Sequence, residues 1–186
     1  LSSDAADDNP ALLHAALHHA LDTEKGKHIH VQFAYADALL GLGDWYRQLL
    51  AESIGKEGVG PTPVGALGPT DQHSQVQLYV EGPHDKVFTF LTAETFRSAM
   101  PIPESGLEAA AYLGGRDLAD LLHAERRGTQ VALLDAGRPQ MEIVFDSVTA
   151  ENVGAYLIWM ETSIALMGQL YGVNAFDQPG VEAGKI

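Results

Sequence analysis

Short β-prone runs alternate with helix-prone runs along most of this chain, and that alternation leaves few folds open to it. Residues 28–36, 86–92 and 140–145 read as strands. Asn9-Pro10 opens a helix, because Asn caps it and Pro tolerates a first position whose N–H has no partner. Leu12, Leu13, Ala16, Leu17, Ala20 and Leu21 then recur with helical period until Gly26. Asp37 is placed to cap a second helix running to about Lys56 through Leu39, Leu40, Trp45, Leu49 and Leu50. Asp71 is placed to cap a short one reaching Val80. Residues 116–125 read as helix, continued by 130–136 after a break at Gly128. Thr149 and Glu151 open a long, mostly apolar helix to about Tyr171, expected to be buried on most faces. Residues 57–70 form a Gly/Pro-rich stretch read as a loop, and 95–108 are irregular around Pro101 and Pro103. Strands alternating with helices build parallel βαβ units. The expected fold is therefore α/β, a parallel β-sheet flanked by helices.

The 186 residues match one domain with a full core. A net charge of −14 argues against nucleic acid or an anionic membrane as partner, since phosphate arrays need clustered Lys and Arg. With no cysteine, disulfide and thiolate chemistry are excluded. The apolar run at 153–160 is too short to span a bilayer, which takes about 20 residues. The start at Leu1 lacks the basic and apolar regions of a signal peptide, and the chain reads as an excised piece of a longer protein.

Three strings carry more specific information. Glu52-Ser53-Ile54-Gly55-Lys56 ends the second helix, Asp71-Gln72-His73-Ser74 opens the third, and the run from Asn174 to Lys185 contains Asp177-Gln178-Pro179-Gly180-Val181-Glu182. In that order they resemble the motifs of the phosphoglucose isomerase family, over roughly Asn9 to Lys185. Pro179 stands where that family often has Trp. The resemblance implies a single sugar-isomerase (SIS) domain over residues 1–186, a flavodoxin-like three-layer sandwich and the C-terminal half of a two-SIS-domain enzyme. It implies cofactor-free interconversion of glucose 6-phosphate and fructose 6-phosphate in the cytoplasm, as a homodimer.

Moving a proton between C1 and C2 of a sugar phosphate suits a carboxylate, which can take the proton from one carbon and return it to the other. By resemblance Glu52 is that base, and Gln48, four residues earlier on the same helical face, is a substrate contact. Spacing alone suggests something plainer: a helix-end Glu52–Lys56 pair contributing a few tenths of a kcal/mol, roughly. His73 lies in the first turn of a helix, where the dipole disfavours imidazolium and leaves a neutral ring able to accept a proton. The resemblance gives it a part in ring opening at the partner subunit's site. Lys185 is implied as a ring-opening cation and Gln178 as a second substrate contact. The sheet geometry adds a tension: open α/β sheets bind ligands at the carboxyl ends of their strands, whereas Glu52 ends a crossover helix at the opposite edge.

Other features carry less. Gly114-Gly115-Arg116 mimics a family tripeptide that belongs upstream of the base, so Arg116 reads as a surface residue and the isolated chain as inactive. His14 and His18 have i, i+4 spacing but no evident third ligand, and no metal is expected. His28 and His30 read as part of a half-exposed sheet face, and Trp45 and Trp159 as core. The alternatives to an isomerase are a non-catalytic SIS module sensing a phosphosugar and a structural dimerisation domain.

Overall fold

The computed structural model describes residues 8–182 except 105. In chain order the elements are α1 (Pro10–Lys25), β1 (Ile29–Ala34), α2 (Leu40–Ile54), β2 (Thr62–Leu67), α3 (Thr70–Glu81), β3 (Lys86–Thr95), α4 (Leu118–Asp135), β4 (Gln140–Ser147), α5 (Ala150–Tyr171) and α6 (Pro179–Glu182). Short 3-10 turns at Asp37–Leu39 and Glu108–Leu113 precede α2 and α4. Among the described residues the strands form one four-stranded sheet of order β2-β1-β3-β4, parallel throughout. The order reverses between β1 and β3, as in doubly wound folds.

Helices cover both faces, so the central strands are buried on both sides. Helices α1, α2 and α5 form one layer over Leu39, Tyr46, Leu50, Ile54, Tyr156, Met160 and Met167. Helices α3 and α4 form the other, over Val31, Phe33, Tyr79, Phe88, Phe90 and Leu133. Strand β1 serves both. Val31, Phe33 and Tyr35 enter the α3/α4 core, while His30 and Gln32 meet Tyr46 and Tyr156 of the opposite layer. His30 is thus buried, not half-exposed; only His28 is exposed.

Several expected boundaries shift. The stretch 57–70 holds β2, an edge strand whose Pro63 and Gly65 hide it from propensity; an edge has no second neighbour needing the missing N–H. Helix α4 runs unbroken through Gly128, which is exposed with free space around it. Its Asp117 cap and Asp120 complete a capping box. Neither Asp37 nor Asp71 is an N-cap: Ala36 precedes the first 3-10 turn and Pro69 precedes α3. Instead the Asp71 carboxylate accepts from the Leu67 N–H at 2.7 Å and the Ser74 hydroxyl at 2.9 Å, joining β2 to α3.

Helix α1 departs furthest from its hydrophobic pattern. Its buried face is Ala11, His14, Ala15, His18 and Asp22, and Leu13 and Leu17 are exposed. Helix α5 likewise buries Tyr156, Met160, Ser163, Ile164 and Met167 but exposes Ile158 and Leu170, so one face rather than most is covered.

Candidate active site

Helix α2 crosses back from β1 to the parallel β2 and so delivers its C-terminus to the amino edge of the sheet, and α5, packed against α2, ends at that same edge, where Lys56 after α2 reaches the Asn174 carbonyl after α5. That shared edge brings Glu52 near the segment after α5. Helix α5 stops at Gly172, whose left-handed φ of 74° lets the chain turn. Val173 then donates to the Gly168 carbonyl and is buried, and the next residues fold back toward α2. Asn174 shapes the turn: its side-chain carbonyl accepts from the Phe176 N–H at 3.0 Å and its amide donates to Asp177 at 2.9 Å.

The result is a cleft of about 330 Å³ lined by Trp45, Gln48, Leu49, Glu52 and Ser53 from α2 and by Ala175, Phe176, Asp177 and Gln178 from the tail. Gln48 donates to the Glu52 carboxylate at 3.3 Å. Three of the five predicted site residues therefore converge: Gln48, Glu52 and Gln178. Glu52 does not pair with Lys56. Lys56 reaches the other way, donating to the Asn174 carbonyl and to Asp177 at 2.8 Å. That contact, with hydrogen bonding from Asn174, holds the Asp177 carboxyl below the usual range.

His73 is elsewhere. It is exposed on the first turns of α3, which starts where β2 ends, at the carboxyl edge. Lys185 lies outside the described residues. The cleft walls include two carboxylates, Glu52 and Asp177, and no Lys or Arg among the described lining residues. Among the described residues a phosphate dianion has no cationic cradle there. Arg116 is exposed and donates to the Tyr112 carbonyl at 2.9 Å, ahead of α4 rather than at the cleft.

A larger cavity, about 710 Å³, opens at the carboxyl edge. It is lined by residues following all four strands, among them Asp37, Pro69, Phe96 and Val148, and by Leu118, Leu121 and Leu122 of α4. Its walls are mainly apolar, which suits a covered surface better than a sugar.

Sequence patterning did not reveal a buried histidine cluster. His14 and His18 stack at 4.1 Å between ring centroids, and His18 meets His30 edge-on at 4.4 Å. His14 Nδ1 pairs with Ser163 at 2.6 Å, His18 with His30 and Met141 at 3.4 Å each, and His30 with Tyr46 at 3.1 Å. Burial holds all three rings well below the ordinary histidine range, His18 at about 4. Among the described residues no group of three or more His, Asp or Glu side chains is placed to share a metal ion. No described helix is long and apolar enough to cross a membrane.

Residues 108–186 match the phosphoglucose isomerase family model. The chain is 48% identical over 180 residues to a glucose-6-phosphate isomerase of Rubrobacter xylanophilus, covering 96% of this chain and 42% of that protein. It is 49% identical over 188 residues to one of Carboxydothermus hydrogenoformans, covering 96% and 40%. The chain thus spans about two fifths of the length of these relatives. A hypothetical protein from Thermus thermophilus superposes with a TM-score of 0.83 at 39% identity, covering 94% of this chain and 48% of that one. A glucose-6-phosphate isomerase from Chlamydia trachomatis shares the fold, with a TM-score of 0.80 at 21% identity over 94% of this chain and 36% of that one.

Proposed function

We propose that this chain, which belongs to the phosphoglucose isomerase family, is the part of a glucose-6-phosphate isomerase that carries the proton-transferring carboxylate. The observation that supports this most is the convergence of Gln48, Glu52 and Gln178, from opposite ends of the chain, on one cleft. In this reading residues 1–186 are the C-terminal SIS domain of a cytoplasmic homodimer serving glycolysis and gluconeogenesis. Glu52 takes the proton from C2 of open-chain glucose 6-phosphate, leaving a cis-enediol(ate); the C2 hydroxyl proton passes to the C1 oxygen, and Glu52 returns its proton to C1 to form fructose 6-phosphate. Gln48, bonded to the Glu52 carboxylate, keeps that oxygen aimed and contacts the sugar, and Gln178 faces it from the tail. His73 of a second copy and Lys185 open the ring. The phosphate is held outside this cleft, which fits walls without a described cation.

The test is Glu52→Gln in the full-length enzyme. The substitution keeps size and much of the hydrogen bonding but removes the group that carries the proton. Loss of a general base typically lowers rate about 10²–10⁴-fold. Turnover and solvent proton exchange at C2 should fall together by that order, with substrate binding little changed. Near-normal turnover, or a loss confined to binding, sinks the assignment and favours a phosphosugar-sensing module.

A further inference from the structure

The Lys56 side chain is only 8% exposed, although it follows a helix end in a Gly-rich turn. A lysine there would ordinarily extend into water. Instead its ammonium bonds two acceptors on one turn of the tail: the Asn174 carbonyl and the Asp177 carboxylate. The backbone around it is built for that reach. Gly55 N–H bonds the Ala51 carbonyl and Lys56 N–H the Ile54 carbonyl, ending α2 tightly. Val59 N–H bonds the Lys56 carbonyl, and Glu57 adopts a left-handed φ of 53°. On the opposite side, Asn174 braces Asp177 through the latter's second oxygen.

We infer that Lys56 is a positioning residue: its two-point clamp on residues 174–177 holds Gln178 against Gln48 and Glu52. The inference rests on the proposed isomerase reading for its functional consequence, but the clamp itself is visible without it. Asp177 immediately precedes Gln178, so the angle at which Gln178 enters the cleft follows from where Lys56 holds Asp177. Without the ammonium, the tail keeps Val173 in the core but loses its tie to α2 beyond that point. Phe176 is 83% exposed and adds little packing to hold the segment down. Lys56 touches no reacting atom in this arrangement; it acts through Gln178. It also sits four residues after Glu52, so one helix end carries both the base and the anchor for the opposite wall.

The experiment uses the full-length enzyme with Lys56→Met, Lys56→Arg and Asp177→Asn, read by steady-state kinetics, thermal midpoint and amide hydrogen exchange of segment 173–178. Asp177 is on the surface, so its variant folds even if Lys56→Met does not. Lys56→Met and Asp177→Asn should each raise exchange in 173–178 and lower kcat/KM at least about tenfold, since a misplacement of roughly 1 Å can cost on the order of 10²-fold. The thermal midpoint should change little. Lys56→Arg should restore protection and most of the activity, and the double variant should be no worse than either single one. Unchanged exchange overturns the clamp, and raised exchange with normal kcat/KM overturns its positioning role. Glu52→Gln separates this from the parent reading: it should lower turnover about 10²–10⁴-fold while leaving exchange in 173–178 as in the wild type. If Glu52→Gln stays active the isomerase reading fails, and the exchange result on Lys56→Met still decides the clamp.

Discussion

Glu52 and His73 stand at opposite edges of the sheet, at either end of β2. Helix α2 ends before β2 begins, and α3 starts just after it stops. A six-residue strand is about 20 Å long, so the two side chains cannot meet on one sugar within a single chain. If both act on the same substrate, two copies must contribute. Mixing full-length Glu52→Gln and His73→Ala variants, each inactive alone, should restore activity from one intact site in a hybrid of the two copies. No recovery under verified subunit exchange would place His73 outside the chemistry.

The same geometry bears on residues 1–186 in isolation. They have a two-sided core and should fold, yet the cleft has no described cation to receive a phosphate. Purified residues 1–186 should give a cooperative thermal transition and no isomerase activity. Turnover from this piece alone would show that the site is complete within it.

The histidine cluster predicts acid sensitivity. His14, His18 and His30 are neutral in the fold, and their side-chain partners Ser163, Met141 and Tyr46 supply no negative charge. Each ring's folded pKa is depressed, so below about 6.5 the unfolded chain binds protons that the folded chain refuses. Stability should therefore fall as pH drops from 6.5 toward about 4, where His18 protonates in the fold. The slope approaches about 1.4 kcal/mol per pH unit for each histidine. Urea titrations from pH 7 to 4.5 should show the loss, and His18→Gln should flatten it. A pH-independent midpoint across that range contradicts the prediction.

Core energetics give a further test. Phe33 is fully buried and touches Tyr35, Tyr79 and Phe90, the last stacked at 5.5 Å. Phe33→Ala should destabilise the fold by about 3–5 kcal/mol, through lost burial and the cavity left behind. Chemical denaturation of residues 1–186 measures it directly, and a loss below about 1 kcal/mol would mean the α3/α4 layer repacks.

How much of this was legible in the chain varies by feature. Asn9 as cap of α1, Gly26 at its end, and Thr149 at the start of α5 follow from local chemistry, because caps and left-handed turns depend on neighbours a few residues away. The alternation of elements likewise fixes a parallel sheet with helices on its faces. Gln48 and Glu52 share a face through helical spacing alone. Strand β2 was invisible because its place at the sheet edge, not its residue preferences, makes Pro63 and Gly65 acceptable. His14 and His18 turn inward while Leu13 and Leu17 stay exposed, because their partners Ser163 and His30 come from other elements, 149 and 12 residues away, that helical periodicity does not register. Lys56 shows the divide most plainly. Spacing assigns it to Glu52, four residues away, for a weak solvent-exposed pair. The fold offers Asp177 and a backbone carbonyl in a sheltered corner, where desolvation leaves a charged donor with few other options. Local sequence decides which elements form and which groups they carry. Only the packing of α2 and α5 at one sheet edge decides which of those groups meet.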